Sequence, residues 1–183
     1  MPMVQAKVWT LEELHSLPDD GNKYELLHGE LFVTPAPTFD HETTIARLHA
    51  VLLPFVMAHG LGYVYSGNSV ITEGESELLP DLLVRQPAAP KTDWKSAPIP
   101  ILVVEVLSPS TRRRDREFKG PFYVDEVGVP EYWIVDGDRR SVTVIRLGTS
   151  PVTTSDRLTW APKETEATLD IDLADVFGPA TAD

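Results

Sequence analysis

The chain has 183 residues, 42% of them hydrophobic, enough for one buried core and too few to favour a second independent domain, so a single domain over 1–183 is expected. It contains no cysteine, which excludes disulfides and thiolate metal centres; MPMVQAKVW has no basic segment followed by an apolar run, and no stretch approaches the roughly 20 apolar residues of a membrane span, so a soluble cytoplasmic protein is expected. A formal charge of −12 excludes a surface that attracts nucleic acid everywhere, although Arg112, Arg113, Arg114, Arg116 and Lys119 form one local basic run.

Taken in chain order, Thr10 to Leu17 suits a short helix, and KYELLHGELFV reads as two strands joined by a tight turn at His28-Gly29. Pro35 and Pro37 break the pattern, and Asp40 is placed to cap the next helix. There Ile45, Leu48 and Leu52 define an apolar face, with His41 on the same face one turn earlier. Pro54 should kink or end that helix, and Gly60 and Gly62 should stop it. GYVYSGNSVI and LLPDLLV follow as strands, Pro80 being tolerable only near a strand start or at an edge. The stretch from Pro87 to Pro98 is proline-rich and polar, a loop. IPILVVEVL lacks polar alternation, the pattern of a central strand covered on both faces.

A helix is expected from Ser110 to Val127, capped by Ser110 or Thr111 and bent at Gly120-Pro121. EYWIVD and SVTVIRL are strands separated by a DGD turn; RLTW and TLDID repeat the strand pattern weakly before a short DLADVF helix. From residue 41 to 136 the order is helix, three strands, helix, strand, which predicts an α/β sandwich.

Glu105 interrupts an otherwise apolar strand, where an ionised carboxylate costs several kcal/mol unless it is paired or bound to a metal. Asp81, after Pro80 on a neighbouring strand, is placed to meet it and share a hard cation through oxygen ligands. An equally open reading has Asp81 merely starting a strand and Glu105 satisfied by an arginine.

The segments KYELLHGELFV, TFDHETTIARLHAVL, LPDLLV, LVVEVLSPSTRRRDREFK and YVDEVGVPEYWIVD resemble the Uma2 family (DUF820) of restriction-endonuclease-like proteins, within the PD-(D/E)XK nuclease superfamily. The similarity covers about residues 10–147, leaving 148–183 as a C-terminal strand extension. It implies a restriction-endonuclease-like αβββαβ core, a mixed central sheet flanked by helices, with an extra N-terminal hairpin and C-terminal strands. Carried over, Asp81 matches the aspartate of the PD motif and Glu105 the acid of (D/E)XK. Leu107 stands where that motif has lysine, and Lys119, at a position where Uma2-like sequences carry one, is the substitute. Asp115, four residues before Lys119, is expected to form a surface ion pair with it.

For the first-motif acid the resemblance offers Glu25, matching the family's YEL segment, with His41 on the first core helix as the alternative; Glu25, and His41 with it, would complete the inner or outer shell of the site. Glu30, Glu42, Tyr123 and Tyr132 are expected to be structural or surface positions. The resemblance implies metal-dependent hydrolysis of DNA, with Asp81 and Glu105 as ligands to Mg²⁺ or Mn²⁺, Lys119 orienting or helping to deprotonate water, and the arginine run contacting phosphates. A homodimer is a reasonable expectation, with the apolar C-terminal strands as one possible dimer surface. The rival readings are an inactive nuclease-fold module that binds nucleic acid or protein, favoured by the acidic charge and by Leu107, and a purely structural or oligomeric scaffold.

Overall fold

The computed structural model describes residues 7–67, 69–108 and 111–178, so Ser110, one of the two expected caps, lies outside the described residues. Helix α1 spans Leu11–His15 behind a capping box of Thr10 and Glu13, and β1 (Lys23–Leu27) and β2 (Glu30–Thr34) form the expected hairpin. Its turn places His28 at φ 50° and Gly29 at φ 81°, the left-handed pair that a two-residue hairpin turn needs. Helix α2 spans Phe39–Ala58. Thr38, not Asp40, is its cap, accepting from the His41 amide, because Asp40 already lies inside the first turn. Pro54 does not end α2. Leu52, Phe55 and Val56 are all buried around it, and their packing outweighs the roughly 3 kcal/mol that a helix-interior proline costs.

Strand β3 (Tyr63–Ser66) is followed by the short β4 (Ile71–Glu73) and β5 (Ser76–Leu78), then β6 (Leu82–Arg85) and β7 (Leu102–Val106). The segment expected as one strand through Pro80 is therefore two. Pro80 offers no amide hydrogen to a ladder, and the chain changes sheets there. A four-stranded sheet has the order β2-β1-β5-β4, and a six-stranded sheet the order β10-β9-β8-β7-β6-β3, with β8 at Tyr132–Asp136, β9 at Ser141–Ile145 and β10 at Val152–Thr154. Within the larger sheet β7 and β8 pair in parallel and every other pair is antiparallel, so the IPILVVEVL segment does lie inside a mixed sheet. The loop between β6 and β7 holds a single 3-10 turn at Trp94–Ser96.

Between β7 and β8 the chain forms α3 (Arg112–Glu117), a short turn α4 (Lys119–Pro121) and a wider π-type turn over Phe122–Glu126. Thr111 holds the cap position of α3 without making a side-chain cap bond. Pro121 lacks the donor an α-helix would require, and the chain instead closes Val127 N to Phe122 O at 3.0 Å. Strands β11 (Arg157–Trp160) and β12 (Leu169–Asp172) make a separate hairpin, followed by α5 (Leu173–Phe177).

Two cores flank the large sheet. Alternation along β7 sends Leu102, Val104 and Val106 toward α2, where Trp133, Val135, Leu158, Trp160 and Ile171 join them. It sends Val103 and Glu105 to the opposite face, against Phe122, Tyr123, Leu78 and Leu27. Glu105 therefore enters the layer between the large sheet, the smaller sheet and the segment after α3. No helix among the described residues is long and apolar enough to cross a membrane.

Candidate active site

The antiparallel register of β6 and β7 pairs Leu82 with Val104, and one further step along it sets Asp81 opposite Glu105. The two carboxylates predicted to meet are brought together by strand pairing, with Val106 N donating to Asp81 Oδ2 at 2.8 Å. Both residues line a cavity of about 860 Å³.

Glu105 is 1% exposed, and its Oε1 accepts from Lys119 Nζ at 2.7 Å and from the Tyr123 hydroxyl at 2.9 Å. Burial pushes its carboxyl up to about 8, with the Asp81 charge adding to the rise and Lys119 opposing it. Leu107, two residues on, faces the same side and packs into the core, so no lysine reaches Glu105 from its own strand. Lys119 does so from the segment after α3.

Lys119 is itself fully buried, and its Nζ also donates to Glu25 Oε1 at 2.9 Å and lies 3.4 Å from Asp115 Oδ1. Burial alone would lower its pKa; Glu105, Glu25 and Asp115 outweigh that and hold the ammonium charged. Asp115 is buried rather than on the surface, because that face of α3 is turned inward against the sheet. Asp115, Lys119 and Tyr123 recur every four residues, so all three fall toward Glu105.

Glu25 and Lys23 both point inward from β1, two residues apart. Glu25 Oε1 accepts from Leu79 N at 3.0 Å, and its Oε2 lies 3.2 Å from Arg114 Nη2. Burial would raise the Glu25 carboxyl, but Lys119, Lys23 and Arg114 hold it below the usual range. Lys23 Nζ donates to Leu79 O and to Asp81 Oδ1, each at 3.0 Å. His41 Nε2 lies 3.0 Å from Val106 O and 3.3 Å from Asp81 Oδ2; since a carbonyl only accepts, this nitrogen carries a proton. Burial opposes charge on both members of that pair, yet Lys23 and then His41 hold Asp81 far below the aspartate range, and Asp81 raises His41.

Glu25 and His41 thus both reach the cluster from opposite sides, Glu25 behind Glu105 and His41 beside Asp81. Lys23 and Tyr123 were not among the expected site residues. Lys23 was signalled by its two-residue spacing from Glu25 on a strand, and Tyr123 by its four-residue spacing from Lys119 on a helix. Tyr132 donates to Asp115 O at 3.0 Å.

The arginine run divides. Arg114 is buried beside Glu25 and Thr34, while Arg112 and Arg116 both donate to Asp136, at 3.0 and 2.8 Å. Arg113, its side chain 80% exposed, meets Glu117 on its own helix and lies over the Phe118 ring at 6.0 Å.

Among the described residues no group of three or more His, Cys, Asp or Glu side chains is gathered as a metal cage. The oxygen pair Asp81 and Glu105 fits a harder and more open mode of binding. Mg²⁺ is commonly held by one or two carboxylates, with water and substrate phosphate completing its shell.

No curated protein matches the chain. A crystal structure described as "a putative nuclease belonging to DUF820 from Anabaena variabilis" matches with a TM-score of 0.77 at 20% identity, covering 92% of this chain and 97% of that one, and so shows a common fold. The family described as "Uma2: Putative restriction endonuclease" matches residues 11–174. With the αβββαβ order of α2, β3, β6, β7, α3 and β8 around the large sheet, the register that sets Asp81 against Glu105 and this match over most of its length, the chain belongs to the Uma2 family.

Proposed function

We propose that the protein is a divalent-metal-dependent endonuclease that hydrolyses DNA phosphodiester bonds, with Asp81 and Glu105 holding Mg²⁺ or Mn²⁺. The observation that carries this is the pairing of the two carboxylates at the wall of one cavity, backed by a fully buried lysine. When bound, the metal supplies charge stabilisation at the phosphoryl oxygens and lowers the pKa of water.

The chain's own residues set the geometry. Lys119 is a positioning residue: it fixes Oε1 of Glu105 from behind and, held charged, offsets the carboxylates around it rather than serving as a base. Glu25 anchors Lys119 and Arg114, and Tyr123 donates the second hydrogen bond to Glu105. Lys23 and Arg114 line the cavity and supply positive charge where a phosphate would enter. His41 orients Asp81.

Asp81→Asn and Glu105→Gln are expected to reduce Mn²⁺-dependent nicking of supercoiled plasmid to background while leaving the far-UV circular dichroism unchanged. Activity equal to wild type in either variant rules out the assigned site. The pairing of Arg112, Arg114 and Arg116 with carboxylates favours a second reading, a non-catalytic nuclease-fold module. For that module, calorimetric titration with Mn²⁺ yields no heat of binding.

A further inference from the structure

Arg85 ends β6, four residues from Asp81 on the same face of the strand. It is 4% exposed, and its Nε and Nη1 have no hydrogen-bond partner among the described residues. Burial lowers its pKa, the sign of a guanidinium whose lost hydration has not been replaced. It lines a second cavity, of about 110 Å³, together with Trp94, Lys95 and Glu73. That volume exceeds what one water needs, so the space accepts a polyatomic group.

The surroundings point to what that group is. The Arg85 guanidinium sits 5.3 Å from the Trp94 ring centroid, which engages the charge but satisfies none of its N–H donors. Trp94, from the turn between β6 and β7, packs edge-on against Tyr65 at 5.5 Å, and Tyr65 against Tyr63 at 6.1 Å, the two tyrosines lying on β3 at the edge of the large sheet. Trp94 and Tyr63 remain 37% and 49% exposed. Past Tyr65 the strand runs on to Ser66 and Gly67, which line the cavity holding Asp81 and Glu105.

We propose that the Arg85 cavity is a phosphate subsite for an unpaired nucleic-acid strand lying along β3, with Arg85 and Lys95 taking one phosphodiester group and Trp94 and Tyr63 stacking the neighbouring bases. A planar guanidinium with free donors matches phosphate oxygens, and exposed ring faces engage only bases that are out of a duplex. Glu73 supplies one opposing carboxylate against the two cations. This rests on the nuclease reading for its choice of polymer, but it concerns binding at a separate place and needs neither metal nor cleavage.

The test is equilibrium binding in EDTA, read as quenching of intrinsic tryptophan fluorescence by oligothymidylate, with Trp94→Phe identifying the part of the signal that Trp94 supplies. Quenching is expected to saturate with the oligonucleotide. Arg85→Met and Lys95→Gln are each expected to weaken Kd about tenfold, an effect of the size of one lost phosphate or stacking contact. Because Arg85 is buried without hydrogen bonds, Arg85→Met should hold or raise Tm, whereas a structural arginine would lower it. The exposed Lys95→Gln gives an independent reading if Arg85→Met does not fold. No saturable quenching, unchanged Kd in both variants, equal affinity for a duplex of the same length, or binding of inorganic phosphate as tight as the oligonucleotide would each overturn the subsite. Loss of plasmid nicking in Asp81→Asn together with intact oligonucleotide binding separates the two sites.

Discussion

Lys119 shows how far side-chain chemistry can depart from its position in a motif. The sequence has leucine where the pattern expects lysine, and the ammonium arrives from a different element with its charge shared among Glu105, Glu25 and Asp115. Removing one partner from such a buried network leaves the others uncompensated. Lys119→Met is expected to destabilise the fold by about 3–5 kcal/mol, and adding Glu25→Gln should recover part of that, measured by urea denaturation. Glu105 predicts a pH dependence of the metal-free protein. Between about 4.5, where an exposed glutamate ionises, and about 8, the unfolded chain has released a proton that the folded protein keeps. Stability should therefore fall as pH rises through that window. His41, raised above its ordinary 6.5, adds to the fall, because its contribution is present at lower pH and lost as the pH rises through its folded value. Thermal melts in EDTA should show Tm declining toward pH 8, and Glu105→Gln should remove its share of the slope and leave that of His41.

Elements whose pattern depends on local periodicity were legible in the sequence, and those decided by tertiary contact were not. The apolar face of α2 and the apolar run of β7, interrupted at Glu105, follow from spacing and burial alone. The continuation of α2 through Pro54 depends on what Phe55 and Val56 pack against, which no local rule contains. The same holds for Lys23 and Glu25: period two puts them on one side of β1, but only the docking of the smaller sheet reveals that this side meets Leu79 and Asp81. Gly62, just before β3, illustrates a close approach that spacing cannot show. Its φ is +114°, and a Cβ there would collide with the Arg85 carbonyl and lie 2.7 Å from Gln86 Cα. Gly62→Ala should cost about 2–4 kcal/mol by prising β3 from β6, read as a drop in the denaturant midpoint.

For the whole molecule, the net charge of −12 foretold little about the site, because charges cancel locally. Asp136 absorbs Arg112 and Arg116, so the basic run that looked available for phosphate is largely spent inside the fold. The β11–β12 hairpin likewise turns its large apolar side chains inward. Leu158, Trp160 and Ile171 are buried in the same core as α2 and β7. The family match runs on to residue 174, past the end near residue 147 expected from the sequence, and a chain ending after β9 should therefore fail to fold, with loss of near-UV circular dichroism, while Trp160→Ala should cost about 3–5 kcal/mol.

The break at Pro80, where the chain leaves one sheet and enters the other, bears on the order in which the protein is made. A growing polypeptide that has emerged through β6 already carries Glu25, His41 and Asp81, yet lacks Glu105 and the ammonium of Lys119, which lies 94 positions beyond Glu25. Loop closure over such separations is slow compared with forming a hairpin or a helix turn. Asp81 can meet Lys23 and His41 within the chain made up to β6, but Glu105 and the Lys119 ammonium that joins it to Glu25 arrive only after β7 and the segment behind it have been synthesised. An incomplete translation product therefore carries the Asp81 side of the cleft without the second carboxylate or the buried lysine that completes it.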